Sequence, residues 1–269
     1  MTVKHLLTPM YLDQWRKEYE ETRLPNLTIN RVSHAAGPDI QHRVIPTYQY
    51  ITQFVADTIK AGGLPVTWNG DCCMSIPTLA GVQQAGIDPV LLWLDAHGDF
   101  NTWKTSPSGF LGGMPLAMIV GKGEQTIAKG VGLRPLPEER VYLTDARDLD
   151  PEEGALIASS RITHLHRLTK LLGEIKLPQR PIWVHFDIDV MRVEDCPATN
   201  YPTPGGPTIP EIKSLFTRIK NSGQLVAVSV SLWEPTHPEA QKSEETVKQL
   251  VELLVDNQLG ATGKVHHLR

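Results

Sequence analysis

The stretch PVLLWLDAHGDFN (89–101) decides how the rest of the chain is read. Val90–Leu94 is an unbroken apolar run closed by Asp95. A run of that length and character is what a parallel strand covered on both faces requires. The form recurs at Leu64–Trp68, Val141–Thr144, Ile162–Leu165, Ile182–Phe186 and Leu225–Leu232. Helical spacing lies between them. Val44, Ile45, Tyr48, Ile51, Phe54, Val55 and Ile59 share one face, and the pattern stops at Gly62-Gly63. Further helices are expected over 75–84, 151–160, 168–175, 209–220 and 239–256. Strand alternating with helix predicts an α/β fold, three layers α-β-α around a central parallel sheet. Residues 1–43 are the least regular part and read as a variable N-terminal segment. A charged helix is expected over 13–22 and a strand over 26–32.

The bulk properties narrow the function classes. In 269 residues, 41% are hydrophobic and 21% charged, the proportions of a globular domain. A net charge of −4 argues against nucleic acid as a partner, because phosphate binding needs a basic face. The apolar runs are strand-length, so no membrane span is expected. Three cysteines, two of them adjacent at 72 and 73, make no disulfide framework. With no apolar leader run at the N-terminus, a reducing, cytoplasmic setting is expected.

In a parallel α/β sheet, residues just past the carboxyl ends of the strands line the functional crevice. After Leu64–Trp68 comes Asn-Gly-Asp-Cys-Cys. After Val90–Leu94 comes Asp-Ala-His-Gly-Asp, and after Ile182–Phe186 comes Asp-Ile-Asp. The last run leads to Glu234. Asp95, His97 and Asp99 alternate, as do Asp187 and Asp189, so each set points one way if extended. Read alone, one Asp-x-Asp is a turn or a helix cap. Two such motifs closing buried strands gather carboxylates that would repel one another without a counter-charge. Carboxylates with one histidine suit hard divalent ions such as Mn²⁺. Two such ions sharing carboxylates would hold a hydroxide that is nucleophilic at neutral pH.

Four motifs in this order resemble the ureohydrolase family, arginases and agmatinases. They are NGDCCMS (69–75), WLDAHGDFNT (93–102), HFDIDV (185–190) with PAT (197–199) and PGG (204–206), and SLWEP (231–235). The resemblance runs from about Val44 to Asp256. It implies one arginase-like domain over 1–269, two divalent metal ions, Mn²⁺ first, and hydrolysis of a guanidino C–N bond. Asp95 and Asp187 would bridge the ions. Asp99 and Cys72 would complete one site, and His97 with Asp189 the other. Asp99 would also relay a proton to the leaving nitrogen, and Glu234 would grip the guanidinium. Asn101, Ser106 and Ser108 fall where the family binds an α-carboxylate, and Asp150 and Glu153 where it binds an α-amino group. Asp-Pro-Glu-Glu (150–153) is equally a good helix start. The resemblance also implies self-association as a trimer or hexamer.

Two departures stand out. Cys72 takes the place of a histidine ligand, and its soft sulfur favours a softer ion than manganese at that site. As a catalytic thiol it would be opposed by the surrounding carboxylates, which raise its pKa. Gly112 takes the place of the family's proton-shuttling histidine. A less basic N-hydroxyguanidine would lessen the need for that acid. Both departures resemble the Nω-hydroxy-L-arginine amidinohydrolase branch. His237, three residues after Glu234, is a candidate substitute acid; a surface-loop histidine is the plainer reading. His164, His166 and His185 read as buried or structural, and His266 and His267 as a solvated tail.

The resulting expectation is an amidinohydrolase acting on arginine or N-hydroxyarginine. The alternatives are a catalytically weak relative serving as a partner subunit, and a hydrolase of another linear C–N substrate such as formimino-glutamate. Metal content separates the first two.

Overall fold

The computed structural model describes residues 1–173, 176–231 and 233–256. The chain opens with β1 (Val3–Thr8) and a small hairpin, β2 (Met10–Tyr11) and β3 (Gln14–Trp15), followed by β4 (Leu27–Ile29). Then come α1 (Ile40–Lys60), β5 (Leu64–Asn69), α2 (Ser75–Gln84) and β6 (Val90–His97). Two short helices, α3 (Pro115–Ile119) and α4 (Thr126–Gly130), lead to β7 (Val141–Asp148), α5 (Pro151–Ala158), β8 (Thr163–His164) and α6 (Leu168–Gly173). The chain continues through β9 (Ile182–Asp187), α7 (Ile209–Ser222), β10 (Leu225–Ser231) and α8 (Ala240–Val255). His266 and His267 lie outside the described residues, as does the end of the expected 168–175 helix.

Eight strands form one parallel sheet in the order β4-β1-β5-β10-β9-β6-β7-β8. Alternate residues of each strand feed opposite faces, which is why the runs are apolar throughout. Leu91 and Trp93 of β6 join the core beneath α1 to α5. Val90, Leu92 and Leu94 join the core beneath α6 to α8. Both layers expected to cover the sheet are therefore present.

Local signals set the helix ends. Asp39 accepts a hydrogen bond from His42 N at 3.0 Å, so α1 begins at Ile40 rather than Val44. Thr208 and Glu211 form a capping box at the start of α7, and Gly223 at φ 68° ends it.

The N-terminal segment corrects the sequence reading. Val3–Thr8 is a full member of the sheet, paired with β5 along its whole length. Its alternation of Val3, Lys4 and His5 hides it from an apolar-run search. The charged stretch 13–22 is not an α-helix but the strand β3 and a 3-10 turn over Lys17–Glu21. Asp13 is instead bound to Arg43 of α1, fixing the hairpin. The strand expected over 26–32 is only Leu27–Ile29, at the sheet edge.

The sheet order carries the functional consequence. β5, β10, β9 and β6 are consecutive neighbours. These are the strands whose ends carry Cys72, Glu234, Asp187 and Asp95.

Candidate metal centre and its cleft

Asp95 closes β6 and is fixed from two sides. Its Oδ1 accepts from His97 N at 2.7 Å and its Oδ2 from Trp93 Nε1 at 3.1 Å. Asp187 closes β9, and its Oδ1 accepts from Asp189 N at 2.9 Å. Its Oδ2 accepts from the Cys72 thiol at 2.9 Å. Asp189 Oδ1 accepts from Ala96 N at 3.2 Å, tying the β9 loop to β6. The left-handed backbone of Asp99, φ 49°, turns the chain back. Its carbonyl there accepts from Leu116 N and Ala117 N at the start of α3.

Among the described residues, two groups of donor atoms result, each with all members within 4.8 Å of one another. One is Cys72, Asp95, His185 and Asp187; the other is Asp95, His97 and Asp189. They share Asp95. Asp99 is buried beside them, though its carboxylate belongs to neither group.

Electrostatics shows what the cluster lacks. Asp95, Asp99, Asp187 and Asp189 are at most 5% exposed. Burial, then the neighbouring Asp189, raises the pKa of Asp95 and lifts that of Asp187 well above the carboxylate range. Burial and Asp95 do the same to Asp99. Burial pulls His97 down, but Asp189 and Asp95 outweigh it and lift the imidazole to about 12. The Cys72 thiol is pushed well up by burial and by Asp187, so without a cation it is a protonated donor, not a nucleophile. Asp99 Oδ2, Asp189 Oδ2 and His185 Nε2 are buried without a hydrogen-bond partner among the described residues. Asp189 Oδ2 does lie 3.1 Å from His97 Nδ1, but poorly aligned for a bond. Orphaned acceptors beside repelling carboxylates are what a pair of cations would satisfy, so the residues fit the implied group. A nearby divalent charge would also invert these pKa directions.

Above the cluster lies an open cleft of about 780 Å³. Cys72, Asp95, His97 and Asp99 reach it from the floor. Asn101, Ser106, Ser108, Asp150 and Glu153 line its side, together with Asp148. Asn101 donates to Asp150 Oδ2 at 2.9 Å. Glu153 accepts from Phe100 N at 2.8 Å, and burial raises its pKa to about 7. Asp150 is also the N-cap residue of α5, and Glu153 accepts from its backbone N–H at 3.3 Å. Helix start and cleft wall are thus the same residues.

Two expected participants are engaged by other contacts. Neither Glu234 nor His237 is among the residues lining this cleft. Glu234 Oε1 is 2.9 Å from the Arg16 guanidinium and accepts from Thr236 N and Oγ1. Burial raises its pKa, but Thr236 and Arg16 prevail and hold it below the usual range. His237 accepts from Glu239 N through Nδ1.

The sequence reading did not gather His185 into the cluster. It is buried as expected, stacked on Trp93 at 3.6 Å and bonded to Ser75 and Ser229. It also stands two residues before Asp187 on the same strand face, a signal present in the sequence. His164 is half-buried, whereas His166 is exposed, against expectation. Arg147 was also missed. Its guanidinium donates to the carbonyls of Asp189, Val190, Thr203 and Pro204, holding the loop after β9 in place.

Residues 7–256 match the family described as the arginase family. The chain belongs to the arginase family. It is a hydrolase of the class acting on linear amidines. It is 31% identical over 207 residues to the N(omega)-hydroxy-L-arginine amidinohydrolase of Streptomyces lavendulae, covering 76% of this chain and 72% of that one. It is 28% identical over 255 residues to the arginase of Bacillus subtilis, covering 90% and 86%. A crystal structure of the Bacillus subtilis arginase superposes with a TM-score of 0.81 at 25% identity, covering 96% of this chain and all of the other. No helix among the described residues of this arginase-family chain is long and apolar enough to cross a membrane.

Proposed function

We propose that the protein hydrolyses the guanidino C–N bond of arginine or of an N-substituted arginine, N-hydroxyarginine in particular. The observation carrying this is the pair of donor groups sharing Asp95 on the floor of an acid-lined cleft. Cys72, Asp95, Asp99 and Asp187 would hold one divalent cation, and His97 and Asp189 with the shared carboxylates the other. Manganese is the first choice, and the Cys72 sulfur favours a softer ion at its site. Such cations supply activation of water at neutral pH.

The residues of the chain perform the remaining work. Asn101, Ser106 and Ser108 would hold the α-carboxylate, and the adjoining Asp150 and Glu153 the α-amino group. Asp99, at the floor, carries a proton from the attacking water to the departing nitrogen. The water oxygen bonds to the guanidino carbon, the C–N bond breaks, and ornithine leaves with that proton beside urea or hydroxyurea. No side chain at position 112 assists, which favours the less basic N-hydroxyguanidine. Glu234 would meet a substrate guanidinium by giving up Arg16, and no step is assigned to His237. The same Arg16 contact favours the second reading, a weakly catalytic partner subunit. Three buried free cysteines support a reducing compartment.

The test is metal analysis of the purified protein, with urea and hydroxyurea assays under Mn²⁺, Co²⁺, Ni²⁺ and Zn²⁺. Close to two ions per chain and hydroxyurea from N-hydroxyarginine are expected. Two ions with no product from either substrate would favour the partner reading. Fewer than one ion and no product would overturn the proposal. Light scattering of the loaded protein tests the expected trimer or hexamer.

A further inference from the structure

The cleft has one wall unlike the others. Its floor and sides carry carboxylates, but Phe110 and Tyr201 face it as rings, with centroids 5.6 Å apart. Phe110 lies over Gly112. A Cβ built on Gly112 would meet ring atoms Cε1 and Cζ closer than any real Cβ contact, with Cδ1 at 3.2 Å. Gly112 is not among the left-handed glycines, so its backbone does not demand glycine. The ring does. Tyr201 is itself fixed, its hydroxyl 2.6 Å from that of Tyr11 on the N-terminal hairpin. The ring at 110 therefore lies between a glycine and a second aromatic, tilted 51° to the latter.

A carboxylate-lined cavity with one preorganised aromatic face suits one ligand class, a planar delocalised organic cation. The carboxylates supply the counter-charge, and the ring face supplies quadrupole attraction to a flat cation lying on it. We propose that Phe110, seated over Gly112 and backed by Tyr201, is the specificity-determining residue of the cleft, selecting guanidinium-type cations by stacking. This rests on the guanidino reading above and adds the residue that reads the charged, planar end.

The test is calorimetry on the metal-loaded protein with L-arginine and L-citrulline, which share length and planarity and differ in charge; arginine affinity is read as KM where the heat shows turnover and as Kd where it does not. Phe110→Leu keeps apolar volume and removes the ring. It should weaken arginine binding about 3- to 10-fold and leave citrulline within about twofold. Phe110→Tyr should restore arginine binding. Gly112→Ala, which displaces the ring, should reproduce the arginine-selective loss. A change in thermal midpoint below about 1 °C for Gly112→Ala would contradict the steric premise. Equal losses for both ligands would mean simple packing and overturn the proposal, as would no loss for either or no binding of arginine by the unaltered protein. The two readings fail separately. Charge-selective binding without turnover removes the hydrolase and keeps the aromatic reader; turnover with equal losses does the reverse.

Discussion

Replacing Gly70 with alanine tests how the N-terminal hairpin supports the metal-centre loop. Gly70 directly follows β5 and precedes Asp71 and Cys72. An added Cβ would meet the Met10 carbonyl, with oxygen inside any real contact and carbon at 2.8 Å. Gly70 is not left-handed, so alanine brings no backbone strain and the whole cost is steric. Carbon atoms pack at about 3.5–4.0 Å, so the Met10 carbonyl carbon must retreat by roughly 1 Å and its oxygen by more. That movement pulls Leu12 N from Asp71 Oδ2, where it now donates at 2.7 Å. Asp71 is buried, and burial raises its pKa to about 6. Overpacking costs about 1–3 kcal/mol and a lost bond to a charged group about 1.5–3. Partial relaxation and the stiffer unfolded chain return some of this. The net loss is about 3 kcal/mol, or about 6–12 °C in a chain of this size. Urea unfolding monitored by tryptophan fluorescence measures it. Gly173→Ala is the control, since among the described residues nothing lies within 4 Å of its Cβ. A loss below about 1 kcal/mol at Gly70, with Gly173→Ala unchanged, would refute the reasoning.

Other perturbations give equally definite outcomes. Cys72→His should tighten manganese binding at least several-fold, because nitrogen suits that ion better than sulfur; unchanged occupancy in plasma emission would remove Cys72 from the ligand set. His5 is buried and accepts from Trp68 Nε1 at 3.1 Å, and burial pushes its pKa down to about 4. The unfolded chain then binds more protons between about pH 6.5 and 4, so stability falls with acid across that window, by at most about 3 kcal/mol. His5→Gln should flatten the slope of thermal midpoint against pH, and an identical slope would clear His5 of the effect. Manganese held at a hundred times its dissociation constant should add about 2.7 kcal/mol, reversed by a chelator. A melting curve indifferent to both would argue that the carboxylate cluster holds no ion.

Much of the fold and the site was readable because the strands are buried on both faces. Val90–Leu94 and Ile182–Phe186 announce themselves as strands, and the residues just past their carboxyl ends line the crevice by topology. That brings Cys72, Asp95, His97, Asp187 and Asp189 into one cluster. β1 escaped because Lys4 and His5 interrupt its pattern. Glu234 was legible as a strand-end carboxylate, but its partner lies 218 residues away at Arg16. No local pattern encodes such a pairing. The glycine at 112 was visible as a departure, while the ring of Phe110 lying over it is a matter of side-chain placement.

The order of the strands reaches beyond chemistry to assembly. Cys72, Asp95 and Asp187 come from three strands spread over more than a hundred residues, and they meet only when the middle of the sheet is complete. Parallel pairings across such separations form late, since each closes a long loop before any contact repays it. The final docking also drives like charges together in a dry interior. Ions available during biosynthesis would ease that last step, acting as folding partners before they serve any reaction.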